Sequence, residues 1–106
     1  MILTKLQRMT LLSKLTNAEV KGAADAMLVT GLLTALRGDW PRAHQIGLDE
    51  MDEPSGSIEL TPELKQCLAL KIDGFLAGSI KTAEGKAMIA TGQDASLLWP
   101  LVAQLR

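Results

Sequence analysis

Two side chains of the 106-residue chain have the chemistry for nucleophilic catalysis: the thiol of Cys67 and the imidazole of His44. A thiol becomes a nucleophile when a nearby base removes its proton. Nothing in the spacing brings these two residues together, and Cys67 falls beside Leu64 and Leu68 on an apolar helix face. That position is typical of a core cysteine. We therefore expect a structural thiol, a surface or capping histidine, and no enzymatic activity.

An acidic segment, residues 49–63, contains six acids and no base, an arrangement that could ligate calcium. Gly56 and Ile58 match two fixed positions of a helix–loop–helix calcium loop. The ligand positions do not match, because the first falls on Met51 and the twelfth on Pro62 instead of on carboxylates. The turn-forming run Pro-Ser-Gly-Ser in this segment predicts a solvated acidic loop at about residues 49–60.

The residue counts exclude other chemistry. One cysteine cannot form an internal disulfide, and one cysteine with one histidine cannot build a Cys/His metal cluster. Adjacent carboxylates such as Asp49 and Glu50 act as acid and base only in a concave pocket that shifts their pKa values, which a loop rarely supplies. We expect no metal and no cofactor.

The apolar residues are of the helix-forming kind. Leucine (19) and alanine (13) dominate, whereas valine, isoleucine and aromatic residues are scarce. We therefore expect an all-α fold, a compact single-domain bundle of five or six helices with a buried central helix, able to form a dimer. The longest uncharged run in the most apolar segment, residues 26–36, is too short to span a bilayer. We expect a cytoplasmic protein without a membrane span.

Caps and turn residues divide this bundle into helices. The first lies within residues 1–18. Thr16 or Asn17, with Glu19 as the partner in a capping box, predicts the start of the central helix over residues 17–37. Further helices are predicted over residues 41–48, 61–79 and 82–92, followed by a last helix that Asp94 or Ser96 caps and Pro100 interrupts.

Small residues recur on one side of the central helix and on the helix over residues 61–79. Small side chains let another backbone approach closely, so such a face suits helix packing or a dimer seam. The candidate face comprises Gly22, Ala26, Thr30, Gly31, Gly74 and Gly78.

The first 18 residues carry bases at Lys5, Arg8 and Lys14 but no acid. We expect a core helix whose basic side chains lie in solvent. The alternative is a basic amphipathic segment that lies on a membrane or docks to an acidic partner.

Nucleic-acid binding has little support in the sequence. A helix-turn-helix has an alanine four residues before its turn glycine, but with Gly92 or Gly31 as that glycine the position holds Met88 or Met27. The bases are dispersed and the isoelectric point is about 5.7, whereas a DNA-binding face gathers lysine and arginine on one side. We do not expect nucleic acid as the main partner. A helical DNA-binding transcriptional regulator is kept as the alternative function.

The most distinctive surface features are two Trp-Pro corners and the acidic segment. Tryptophan is common at interface hot spots, and a neighbouring proline holds it in a pre-ordered turn. We expect a non-enzymatic protein–protein interaction module, a small regulatory or assembly factor that binds a protein partner or itself. The candidate partner-binding residues are Trp40, Arg42, His44, Asp49, Glu50, Asp52, Glu53 and Trp99.

Overall fold

The computed structural model describes residues 1–38, 49 and 51–105, and the helix predicted over residues 41–48 lies outside them. The described residues form four helices and one antiparallel sheet of two strands. In chain order the elements are β1 (Ile2–Thr4), α1 (Lys5–Asn17), α2 (Gly22–Arg37), β2 (Pro54–Ser57), α3 (Pro62–Ala77) and α4 (Gly92–Leu105). The prediction of an all-α bundle of five or six helices is therefore wrong.

The small sheet joins the N-terminal segment to residues predicted as the acidic loop. Ile2 lies opposite Ser57, and the main chains of Met1 and Ile58 exchange two hydrogen bonds of 2.8 Å each. The residues of β2 pair with β1 although they are typical turn formers. Because that pairing is between segments far apart in sequence, local turn signals do not reveal it.

Polar side chains fix the start of α1 and the position of β1. Thr4 and Gln7 form a capping box. The main-chain amide of Gln7 donates to the Thr4 hydroxyl, and the side-chain oxygen of Gln7 accepts from the main-chain amide of Thr4. On the other side of β1, the Gln104 side chain accepts a hydrogen bond from the Ile2 amide (3.0 Å) and donates one to the Ile2 carbonyl (3.1 Å). These contacts hold the N-terminal strand against α4.

The helix predicted over residues 17–37 begins at Gly22 instead. Residues 16 and 17 belong to α1, where the Thr16 hydroxyl donates to the carbonyl of Leu12, so neither residue caps α2. The Glu19 amide donates to the Lys81 carbonyl at 2.9 Å, and this hydrogen bond holds the connection between α1 and α2 extended. A non-local contact therefore replaces the predicted capping box.

The buried central helix is also a wrong prediction, because α2 buries only Val29, Leu32 and Leu36 while Met27 is 75% exposed. Helix α1 is better covered and packs against α2, α4 and both strands. Apolar composition alone did not show which apolar helix the others surround. Buried side chains from all four helices, from β1 and from the residue after β2 form one core, which includes Leu3, Leu12, Leu32, Ile58, Leu68, Phe75 and Leu101.

Residues predicted as a helix over 82–92 form a hairpin. The Met88 amide donates to the Ile80 carbonyl (3.1 Å), the Thr82 amide donates to the Lys86 carbonyl (2.8 Å), and Gly85 turns the chain with φ +82°. A glycine in the left-handed region favours a turn over a helix. The prediction placed a glycine at a helix interior position, where the chain turns instead.

Helix α4 begins where the sequence predicted an end, at Gly92. Its cap is Thr91, whose hydroxyl accepts from the Asp94 amide (3.2 Å) while the Asp94 carboxylate accepts from the Thr91 amide (3.1 Å). The predicted caps Asp94 and Ser96 are therefore wrong, by three and five residues. Pro100 lies inside α4 and is exposed, so water can satisfy the carbonyl that its missing amide leaves free.

The basic side chains of α1 do not lie freely in solvent. Arg8 is only 7% exposed. Its guanidinium donates to the main-chain carbonyls of Leu36, Arg37 (3.2 Å) and Ser55 (3.0 Å), and burial lowers its pKa. Lys14 lies 6.0 Å from the centre of the Phe75 ring. The expectation of solvated bases is wrong here, because Arg8 binds main-chain carbonyls that include those at the end of α2, and Lys14 contacts an aromatic ring.

Candidate functional site

A groove of about 480 Å³ runs between α2 and α3 and is called the α2–α3 groove below. It has a mostly apolar lining, formed by Leu28, Cys67, Leu70, Gly74 and Ile80. Its charged lining residues are Asp25, Glu63 and Lys71. The volume falls in the range of sites that hold a small molecule or a few side chains of a partner.

Contacts at both ends of the groove fix α2 and α3 antiparallel. At one end, a Cβ placed on Gly31 would lie 3.1 Å from Cδ2 of Leu64, so the two helices are close there. At the other end, Lys71 contacts Asp25. Helix α3 starts sharply because the Thr61 hydroxyl accepts from the Leu64 amide at 3.2 Å. The close contact and the ion pair therefore set the width of the groove.

Gly74 and the residues after α3 close one end of the groove. Gly78 adopts a left-handed conformation (φ +71°) that ends α3 and turns the chain back. Ile80 then lies over Gly74, where a Cβ would be 2.6 Å from Ile80 Cδ1. Glycine at position 74 is thus required for Ile80 to form this wall.

The Asp25–Lys71 pair is the main polar contact in the groove. The Lys71 ammonium lies 3.1 Å from Oδ1 and 3.3 Å from Oδ2 of Asp25, and the Lys21 amide donates to Oδ2 at 2.9 Å. The hydrogen bond from Lys21 lowers the pKa of Asp25, and Lys71 adds to this effect against the opposing influence of burial. Because Asp25 and Lys71 neutralise each other, Glu63 supplies the net charge of the groove.

Cys67 is part of the groove but is only 7% exposed. Burial raises the pKa of its thiol, and the charge of Lys71 opposes this only in part. The thiol is therefore protonated at neutral pH and a poor nucleophile. His44, the other side chain considered for nucleophilic catalysis, lies outside the described residues. Across residues 1–38, 49 and 51–105, no group of three or more His, Cys, Asp or Glu side chains could hold a metal ion.

Leu70 is the exposed apolar residue of the site. It is 62% exposed and forms a ridge between the α2–α3 groove and a second hollow of about 400 Å³ beside α4. The sequence analysis did not single out Leu70, because it identified only the apolar row beside Cys67, which includes Leu64 and Leu68. The available signal was the position of Leu70 off that row, on a helix that is otherwise polar on its outer side.

The predicted partner-binding residues are scattered. Trp99 is 60% exposed on α4, and Asp49 and Asp52 are exposed. Glu53 pairs with Lys5 of α1 at 2.8 Å. The other predicted residues, Trp40, Arg42, His44 and Glu50, lie outside the described residues. None of the described members lines the α2–α3 groove.

The six residues of the predicted small-residue face do not form one surface either. Gly31 and Gly74 lie at close contacts within the chain, and Gly78 ends α3. Gly22 has open space around it and starts α2 with φ +91°. Thr30 is exposed and Ala26 half-buried. Two of the six residues therefore help to shape the groove through packing inside one copy of the chain.

No protein-family model, curated protein or solved structure matches this chain. None of the helices in the described part of the chain has both the length and the apolar character needed to cross a membrane. The functional inference therefore depends on the geometry of the groove.

Proposed function

We propose that the protein is a non-enzymatic interaction module that binds a protein in the α2–α3 groove and across Leu70. The observation that carries this proposal is the exposed Leu70 beside the apolar lining of the α2–α3 groove, because a contiguous apolar surface with a polar edge marks a protein-binding site. The small regulatory or assembly role expected from the sequence fits such a surface.

The physical basis is the contrast between an apolar lining and a charged edge. Burial of apolar surface contributes about 25 cal/mol per Å², so covering Leu70 and the groove supplies affinity. Glu63 at the edge supplies orientation and a faster encounter with a partner of opposite charge. A single cysteine rules out internal disulfides, which fits work in a reducing compartment such as the cytoplasm.

The DNA-binding alternative has weaker support in the charge arrangement. A DNA-binding surface needs lysines available to replace the counterions of phosphates. Each of four lysines lies within 4.0 Å of a carboxylate oxygen: Lys5, Lys14, Lys21 and Lys71. Binding to DNA through these four lysines would have to break or share the pairs.

The experiment is a gentle low-salt purification of the tagged chain from its native host, in three forms: unchanged, Leu70→Asp and Trp99→Asp. The two substituted side chains are matched, because both are on helices and are 62% and 60% exposed. We expect a stoichiometric protein with the unchanged chain and with Trp99→Asp, and its loss with Leu70→Asp.

The other outcomes contradict the proposal at separate points. Loss of the partner with Trp99→Asp alone would move the binding surface to the exposed face of α4 around Trp99, where Trp99 and Pro100 lie inside the helix and not at the corner that the sequence predicted. Nucleic acid in place of protein, released steeply by salt, would favour the DNA-binding alternative. Circular dichroism of each variant checks that the helices are intact.

A further inference from the structure

The hairpin after α3 ends in an exposed apolar residue that packing within the chain does not explain. Residues 80–89, called the arm below, include Ile89, which at 82% has the highest exposed fraction among the described large apolar residues that are exposed. Lys81 and Lys86 are exposed on the same arm. The arm therefore presents an isoleucine next to two bases.

The arm is held in place and not loosely attached. The main chain of Ala83 donates to the Asn17 carbonyl at 3.2 Å, and the Met88 amide donates to the Ile80 carbonyl at 3.1 Å. Because Ile80 also forms one wall of the α2–α3 groove, the arm and the groove adjoin each other in the molecule. A fixed arm loses little conformational entropy when it binds.

The groove and the arm have opposite charges. The groove is lined by two acids and one base, and the base is already paired with Asp25. Residues 81–87 of the arm contain two lysines and one acid, Glu84. A negative groove with an apolar lining thus complements a positive arm that carries Ile89.

We infer that the occupant of the α2–α3 groove is the arm of a second copy of this chain, with Ile89 against Leu70 and Lys86 near Glu63. The inference rests on the proposed function, because it names the partner of the same groove. A two-fold axis makes the contact reciprocal, so that each copy supplies one arm and one groove. The result is a closed dimer with two equal contacts.

The test is sedimentation velocity of the full chain over a range of concentrations. We expect a species of twice the 11.4 kDa chain mass. Leu70→Asp and Ile89→Asp should each raise the dimer dissociation constant about tenfold or more, since a carboxylate would be buried in the contact. Ile2→Asp is the control, because Ile2 is 65% exposed but lies on neither surface.

Mixing the two variants separates this inference from damage to the fold. A copy with Leu70→Asp keeps its arm, and a copy with Ile89→Asp keeps its groove, so the mixture regains one of two contacts and should associate more strongly than either alone. Glu63→Lys and Lys86→Glu should each weaken association when made alone. A chain that carries both changes should regain association, because the two charges are exchanged.

A monomeric wild-type chain, or a dimer that neither Leu70→Asp nor Ile89→Asp weakens, would overturn the inference. Failure of the mixture and of the charge exchange to restore association would overturn it as well. The proposed function would survive a monomeric chain if a different protein still bound through Leu70. It would fail if no protein did.

Discussion

The guanidinium of Arg8 in α1 donates a hydrogen bond to the main-chain carbonyl of Leu36, in the last turn of α2. The last carbonyls of a helix have no partner within it, and here a buried cation takes that place. The same guanidinium reaches the Ser55 carbonyl in β2. One side chain therefore connects α1, the end of α2 and the sheet.

Replacing Arg8 with methionine should lower the free energy of unfolding by about 2–4 kcal/mol, because the buried carbonyl of Leu36 and the partly buried carbonyls of Arg37 and Ser55 would lose their donor. Urea denaturation followed by circular dichroism measures the change. Arg37→Met is the matched control, since Arg37 is exposed and its replacement should change the value by no more than about 0.5 kcal/mol. Equal effects of the two changes would contradict the role given to Arg8.

Acid should destabilise the contact between α1 and α4. Burial alone would raise the pKa of Asp94, but hydrogen bonds from Thr91 and the charge of Lys14, 3.3 Å away, outweigh it and lower the pKa below its ordinary value. The stability that this carboxylate contributes is complete above its unfolded pKa and is lost as the pH falls through its folded pKa.

The measurement is the urea midpoint from pH 6 down to about pH 3, for the unchanged chain and for Asp94→Asn. We expect Asp94→Asn to be less stable at pH 6 and to lose less stability on acidification. Asp52→Asn, a change at an exposed acid, is the control and should leave the urea midpoint at pH 6 close to the wild-type value. An unchanged pH profile in Asp94→Asn would count against the Lys14–Asp94 contact.

Replacement by alanine should change the stability differently at two helical glycines. At position 74 a Cβ would lie 2.6 Å from Ile80, so Gly74→Ala should lower stability by about 1–2 kcal/mol, overpacking being offset in part by better helix propensity. At position 31 the nearest atom, on Leu64, is 3.1 Å away and can rotate aside, so Gly31→Ala should be neutral or stabilise by up to about 1 kcal/mol.

Shortening Ile80 provides the control for this clash. In the Gly74→Ala, Ile80→Ala double variant, the loss should be smaller than the sum of the two single losses, because the new methyl group fills the space vacated. Additive losses in urea denaturation would show that Ile80 does not press on position 74.

Cys67 should react slowly with a thiol reagent. Its pKa is raised by burial and its side chain is 7% exposed, so little thiolate is available in the folded chain. We expect labelling by an aromatic disulfide at pH 7 to be at least about tenfold slower than in urea-unfolded chain. Because the chain has one cysteine, the signal reports this groove alone.

Filling the groove should slow that labelling further. If a second copy fills the groove, the labelling rate of Cys67 should fall as the concentration of the unchanged chain rises. The rate should not depend on concentration in Leu70→Asp, in which association is weakened. Labelling as fast as in unfolded chain would show that the groove opens readily.

The sequence identified those features that depend on neighbours along the chain. The start of α3 at Thr61 and Pro62 is confirmed, as is the burial of Cys67. These signals are local, because a cap and an apolar row are set by residues within a few turns.

The features that sequence reasoning missed depend on contacts between distant segments. Pairing with the N-terminal strand turned the Pro54–Ser57 run into β2, and buried carbonyls of α2 and β2 received the cation of Arg8. The groove was missed for the same reason. Leu70 lies between two hollows only because α2 and α4 pack on either side of α3, and the sequence does not show that packing.

The side chain of Gln104 behaves as a one-residue strand beside Ile2. Its amide uses both main-chain hydrogen-bonding groups of Ile2, on the edge of β1 that faces away from β2, and Gln7 takes the Thr4 amide. An extended peptide arriving at this edge would therefore have to displace two glutamine side chains before it could pair. This edge of the sheet is therefore protected from growing by the addition of a strand.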